Sequence, residues 1–391
     1  MPAAGQGAVK RSLLNSVRFR GIVYQVVVVA LVVALGWYLV HNTLVNLAAR
    51  GIATGLHFLG QEAGFDIGES AIPYNSADTY AHALLVGLLN TLEIAVLGIV
   101  LATLLGLVVG IGRLSGNWIV ARLATLYVEA VRNVPLLLQL FVWYGIVTAL
   151  PGPRQALNPL PGIFLSNRGL KVPLPEAHAV HPWLLLALAV GLGLAWLLRR
   201  WALARHARTG RPFPWVRGGA ALVLGLPLAV FLAAGAPLAW DVPTLRGFNF
   251  AGGGTLSPEF AALLAGLTVY TAAFIAEIVR SGILAVPSGQ TEAALSLGLS
   301  RGQTLRLIIL PQALRVMVPS LTSQYLNLTK NSSLAVAIGY PDLVSVANTT
   351  INQTGQAVEG VGVVMAVFLV ISLSLSLLMN WYNAKVALVT R

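Results

Sequence analysis

The sequence predicts an all-α polytopic membrane protein with about eight transmembrane helices, and three observations predict it. Of 391 residues, 57% are hydrophobic and only 10% are charged, against about a quarter charged in a soluble domain. The apolar residues are gathered into runs long enough to span a bilayer, which takes about 20 residues in a helix. The net charge of +12 is scattered over short segments between those runs. Such scattering forms no basic face for nucleic acid and reads instead as a topology signal.

Taken in order, residues 1–20 carry Lys10, Arg11, Arg18 and Arg20 and precede a valine-rich run from Ile22 to Val40. That run is long for a signal peptide and no small-residue cleavage site follows it. It reads as a retained first span with a cytoplasmic N-terminus. Residues 43–81 hold Glu62, Asp66, Glu69 and Asp78 against a single Arg50, an external loop with room for a short surface helix. The second span, His82–Ile111, repeats Gly98, Ala102, Gly106 and Gly110 every fourth residue, a stripe that lets another helix pack closely. Glu93, near its outer half, is costly unless paired, by about 2.5–3.5 kcal/mol at mid-membrane, and either hydrogen-bonds a neighbouring helix or faces a pathway. Arg113 and Arg122 bracket an internal loop. The third span, Ala124–Leu150, places Glu129 and Arg132 three apart, spaced to pair within the helix. Asn133-Val134-Pro135 interrupts it; such a break either exposes carbonyls to a cavity or simply kinks the helix to fit its neighbours.

Residues 151–182 contain seven prolines and form an external loop. Trp183–Leu198 is the fourth span, with Trp183 and Trp196 as interfacial anchors. Arg199, Arg200, Arg205, Arg208, Arg211 and Arg217 make the densest positive cluster. It reads as a cytoplasmic loop, for which orientation is a sufficient explanation beside headgroup contact. Gly218–Leu238 is the fifth span, and Trp240–Ser257 returns outside through Gly252-Gly253-Gly254. The sixth, Pro258–Leu284, has Glu277 and Arg280 three apart. The seventh, Val316–Ile338, is loaded with Thr322, Ser323, Gln324, Asn327, Thr329, Lys330, Asn331, Ser332 and Ser333. A lipid-facing helix does not carry that load, so it faces protein or a watery pathway. Residues 339–360 are external, and Val361–Trp381 is the eighth span, with Lys385 and Arg391 beyond. This arrangement puts eighteen Lys and Arg in internal segments and five, at 50, 154, 168, 171 and 246, in external ones.

Between the sixth and seventh spans lies the longest charged amphipathic stretch, Ser288–Arg315. Pro287 closes the preceding span, Glu292 to Leu297 is a short helix pattern, and Gly298 can end it. Ser300 and Gln303 have capping-box spacing for a second helix, which puts Leu305, Ile308 and Ile309 on one face and stops at Pro311. Two short helices hinged at a glycine suit docking to a partner. No catalytic constellation accompanies them: the six histidines form no HExxH, cysteine is absent, and no GxxxxGK[ST] occurs.

Glu292-Ala293-Ala294, Gly298 four residues on, and Ile309-Leu310-Pro311 resemble the EAA loop of ABC importer permeases. Ile275 to Ile283, Lys330 to Leu334, and Tyr127-Val128-Glu129 followed by Arg132 to Leu140 are similar to the polar amino-acid uptake branch. The whole is most like its general L-amino-acid permease type. The resemblance implies a five-helix type I permease core built from residues 82–150 and 255–391. Residues 1–81 are then an added tail, helix and external loop, and residues 151–254 an inserted helix pair with its loops. It implies that Glu292, Ala293, Ala294, Gly298, Ser300 and Arg301 dock a separate ATP-binding subunit. ATP and magnesium would sit in that partner, with no cofactor on this chain and no enzymatic activity of its own. The further partners implied are a second homologous permease in a heterodimer, a periplasmic amino-acid-binding protein, and membrane lipid. The site of action is the bacterial inner membrane, with both termini cytoplasmic. An L-amino-acid zwitterion needs a cation for its carboxylate and acceptors for its ammonium. Gln139, Glu277, Gln324, Asn327, Lys330 and Asn331 are nominated for the pathway. Lys330 alternatively pairs with Glu93 or Glu277, and Glu277 is read first as the partner of Arg280. The competing function is an ion-coupled secondary transporter of small polar nitrogen compounds. Such transporters show matched broken helices, and the break at Pro135 has no obvious mate.

Overall fold

A computed structural model describes residues 17–49, 51, 55–176 and 178–386. The charges at Lys10, Arg11, Arg50 and Arg391 lie outside the described residues, and only the backbone is described at Arg18 and Lys385. Among the described residues, seven helices, or eight spans when a bent pair is counted as one, are long and apolar enough to cross a membrane. α1 (Val17–Ala49) is followed by a 3-10 turn (Leu56–Gly60) and α2 (Tyr80–Gly112). The expected third span is not one rod. It is α3 (Trp118–Arg132) and α4 (Leu136–Thr148), bent by 106°. Pro135 has no N–H to donate and holds an extended ψ of 136°, so the helical ladder cannot run through it.

The chain divides into two compact units, Leu97–Arg280 and the remainder. In Leu97–Arg280, the second half of α2 lies against α7 (Pro258–Leu284) through the four-residue stripe. A Cβ at Gly106 would stand 2.6 Å from Ile275, and one at Gly110 would stand 2.8 Å from the Ala276 carbonyl and from Val279. Val128 of α3 is buried with Ala273 and Ala276 of α7, and the Tyr127 hydroxyl donates to the Val269 carbonyl at 2.6 Å.

Residues 151–254, read from the sequence as an inserted helix pair with its loops, differ from that reading in two ways. First, the proline-rich loop and the stretch after Trp240 contain strands. β1 (Leu157–Leu160), β2 (Ile163–Ser166) and β3 (Gly169–Val172) form an antiparallel sheet whose fourth strand is β8 (Gly254–Leu256). β4 (Leu174–Pro175) pairs with β5 (Trp240–Asp241), and β6 (Thr244–Arg246) with β7 (Asn249–Ala251). Phe164 stacks on Phe250 with ring centroids 4.5 Å apart. Gly253, at φ 63°, passes so close to Pro243 and the Val172 carbonyl that no side chain fits. Second, α5 runs from His181 to Thr209, so Arg199, Arg200, Arg205 and Arg208 sit on a helix and not in a loop. It packs against α6 (Trp215–Ala233), where a Cβ at Gly191 would press the Leu222 carbonyl at 2.7 Å.

In the other unit, Phe58, Ala63, Tyr80, Ala83 and Leu84 bury themselves against Leu343, Val346 and Ala347 of α11 (Leu343–Thr354). Gly87 lets the Asp342–Leu343 backbone approach α2, since a Cβ there would lie 3.0 Å from the Leu343 Cα. α12 (Ala357–Val386) is the last element among the described residues.

Candidate functional site

The Ser288–Arg315 stretch folds as an elbow. α8 (Ser288–Ser296) starts after Pro287, and Gly298 takes a left-handed φ of 77°. Its N–H donates to the Leu295 carbonyl at 2.9 Å and that of Leu299 to Ala294 at 3.2 Å. These bonds satisfy carbonyls that a helix C-terminus leaves open. α9 (Arg301–Thr304) begins with a reciprocal capping box: the Gln303 N–H donates to Ser300 Oγ at 3.3 Å, and Gln303 Oε1 accepts from the Ser300 N–H at 2.9 Å.

Pro311 does not stop the helix. A π-helical turn, Leu305–Ile309, carries the chain into α10 (Leu310–Asn331), with Pro311 in its first turn. The wider i→i+5 pattern suits a proline, which has no N–H for an i−4 bond. Gln312 Nε2 donates to the Ile308 carbonyl at 3.0 Å and to Gln290 Oε1 at 3.4 Å, tying the two arms together.

Glu292, Ala293, Gly298, Ser300 and Arg301 are exposed, whereas Ala294 is buried. Leu297, at the tip, is 82% exposed. The sequence reading passed over Leu297; the signal was an apolar residue placed directly before the left-handed glycine. The surface offered is thus an acid, a small residue, an apolar knob and an arginine on a rigid bend.

α10 sorts its polar residues into two sets. The hydroxyls of Thr322 and Thr329, and of Ser332 and Ser333 in the 3-10 helix (Ser332–Ile338) that follows, donate back to carbonyls three or four residues earlier, at 2.7–2.9 Å. Ser320, Ser323, Asn327 and Lys330 are exposed. Their spacing of three, four and three residues aligns them along one face. Gln324 and Asn331 flank it half-buried.

The other two pathway nominees have structural commitments. Gln139 Nε2 donates to the carbonyls of Val131, at 2.8 Å, and Val134, at 2.9 Å, stitching the α3–α4 break. Glu277 pairs with Arg280 at 2.7 Å and, by its other oxygen, with Arg113. The sequence reads Arg113 as one end of an internal loop; the signal of its pairing is a lone arginine ending one apolar span where another ends in Glu-x-x-Arg. The expected Glu129–Arg132 pair is replaced by Arg132 lying 5.0 Å over the Phe274 ring.

One buried polar cluster escaped the sequence reading. Asn90 Nδ2 donates to the carbonyls of Glu69, at 2.8 Å, and Pro341, at 2.9 Å. Thr91 Oγ1 accepts from the Leu343 N–H at 3.0 Å, and Asp342 caps α11 by accepting from the Ser345 N–H at 2.9 Å.

Comparison with known proteins sets this geometry in a family. The family described as binding-protein-dependent transport system inner membrane component matches residues 98–387. The chain belongs to that family. The permease is 49% identical over 391 residues to the general L-amino acid transport system permease protein AapQ of Rhizobium johnstonii, covering 100% of this chain and 98% of that one. It is 51% identical over 374 residues to the Escherichia coli protein YhdX, covering 95% of each. It is 42% identical over 413 residues to the glutamate/glutamine/aspartate/asparagine transport system permease protein BztB of Rhodobacter capsulatus, covering 97% and 96%. The permease is a transport component and not an enzyme, and membership of this family displaces the ion-coupled alternative.

Proposed function

We propose that the permease is the membrane subunit of an ATP-driven importer of L-amino acids, in the inner membrane of a bacterium with both termini cytoplasmic. A binding protein delivers the amino acid on the outer side. Separate ATPase subunits, holding ATP and magnesium, close and push the elbow. A second homologous permease completes the pathway as a heterodimer. The observation that carries this reading is the elbow itself: α8, left-handed Gly298 and capped α9, braced by Gln290 and Gln312. It presents the exposed Glu292, Ala293, Leu297 and Arg301 outward. Gly298 and Ser300 set its bend, and Ala294 packs it from inside.

The exposed Ser323, Asn327 and Lys330 of α10 support a polar face toward the partner permease and the passing substrate. There Lys330 supplies the cation for a carboxylate, with Gln324, Asn327 and Asn331 around it. Full-length similarity to a general L-amino acid permease supports the substrate class.

The test is co-purification in mild detergent followed by uptake in vesicles. An ATPase and a second permease are expected in the eluate. Glu292→Lys and Leu297→Asp, both at exposed positions, are expected to cut ATP-dependent amino-acid uptake about a hundredfold, on the scale of interface hot spots, with membrane abundance unchanged. Uptake at the wild-type rate in both variants would sink the docking assignment.

A further inference from the structure

The apolar run of α5 ends at Leu198, yet the helix continues to Thr209. Arg199, Arg200, Arg205 and Arg208 sit on this extension, and Arg211 and Arg217 follow. From Ala177 to Trp240 the sequence has no acidic residue, so nothing within the helix pair neutralises them.

Three of the guanidiniums rest on indole rings. Arg200 lies 4.8 Å from the Trp196 ring centre and Arg205 lies 5.3 Å from that of Trp201, both one helical turn apart. Arg199 reaches across to Trp215 of α6, at 5.5 Å. Trp201 in turn meets Phe213 edge-on at 5.3 Å. An arginine stacked in this way keeps its N–H edges free and fixed in direction, which suits the oxygens of a phosphate.

The distribution says what kind of partner fits. At about 100° per residue, positions 199, 200, 205 and 208 fall at roughly 0°, 100°, 240° and 180° round the helix axis. A protein surface approaches from one side and would be met by a stripe. A collar answers a medium that surrounds the helix: Arg199, Arg200, Arg205 and Arg208 are all exposed, and the pair fully buries only Gly191, Ala202 and Gly219. Depth agrees. Trp183 and Arg200 are about 26 Å apart along the axis at 1.5 Å per residue, close to the ~30 Å hydrocarbon core. Trp183 then marks one interface and the Trp196–Arg200 pair the other.

We propose that this arginine–tryptophan collar at the end of the α5–α6 pair is a binding site for anionic lipids, holding their phosphodiester headgroups. The site requires only that the chain spans a membrane; it is independent of the substrate, of the ATPase, and of which leaflet the collar faces.

The test is native mass spectrometry of the purified full-length chain in detergent, titrated with phosphatidylglycerol or phosphatidylcholine. Phosphatidylglycerol is expected to stay bound and phosphatidylcholine to be lost. The triple variant Arg199→Gln, Arg200→Gln, Arg205→Gln is expected to weaken phosphatidylglycerol binding by about a hundredfold. The pair Arg122→Gln, Arg306→Gln, exposed arginines elsewhere, leaves it intact. If the triple variant fails to accumulate, the three single variants are each expected to weaken binding several-fold. Equal retention of both lipids, or undiminished phosphatidylglycerol binding in the collar variants, overturns the proposal. So does displacement of the lipid by millimolar inorganic phosphate, which would mark a site for a soluble anion. Selective lipid binding supports the collar whether or not an ATPase co-purifies.

Discussion

Asp342 shows at one residue how burial and charge oppose each other. It is fully buried, one carboxylate oxygen caps α11, and the other has no hydrogen-bond partner among the described residues. Burial pushes its pKa from 3.8 up to about 7, against the backbone N–H groups that favour the anion. Burial, with the carboxylates of Glu69, Glu93 and Asp342 nearby, likewise holds the Tyr340 hydroxyl protonated well above its usual range. The sign of the linkage follows. Between pH 4 and 7 the folded chain keeps a proton on Asp342 that the unfolded chain has lost, so stability falls as pH rises through that window, and the full cost stands above it. An asparagine side chain at this position would keep the cap without the charge. The variant Asp342→Asn is therefore expected to melt higher than the wild type at pH 8 and level with it at pH 4, read by thermal unfolding in detergent. A constant offset at both pH values would contradict this account. Asp342 was not visible in the sequence as a cap, because residues 339–360 read as a polar external stretch and the packing of Leu343 and Val346 that makes α11 a helix is long-range.

At the scale of elements, the elbow was legible because its code is local. Gly298, and Ser300 with Gln303, each act within four residues, and capping chemistry is written at that range. Pro311 was misread because a proline normally ends a ladder; the π turn that absorbs it has no comparable sequence mark. The strands between residues 151 and 256 were illegible for another reason. They are two to four residues long, and β3 meets β8 across some eighty residues of intervening chain, which no local pattern encodes. The α2 stripe was legible as packing, and its fit to α7 makes a quantitative expectation. Gly110→Val would drive methyl groups into the Ala276 carbonyl and Val279. It is expected to cost about 1–3 kcal/mol, as overpacking does, seen as a lower melting temperature, whereas Gly116→Ala, with open space around it, should change little.

For the molecule as a whole, the order of spans and the positive bias between them were written in composition, and seven long apolar helices with one bent pair answer to that reading. The exposed polar face of α10 was legible only as excess polarity, because sequence records the load on a helix and not which side bears it. The bond pattern separates the two: hydroxyls folded back on their own helix, and a file of Ser323, Asn327 and Lys330 left exposed.

The pairing of β3 with β8 carries a consequence for how such a chain could be remade. Val172 and Gly254 are directly opposite each other in the ladder, and antiparallel partners lie only about 5 Å apart. Residues 173–253 can therefore be excised and the cut ends sutured by a two-residue Asn-Gly turn. Because the excised piece removes two spans, the parity of the remaining crossings is preserved. A reporter fused to the C-terminus should stay on the same side of the membrane in the shortened chain as in the full one. The β3–β8 pair would thus mark the seam at which two crossings leave the chain together.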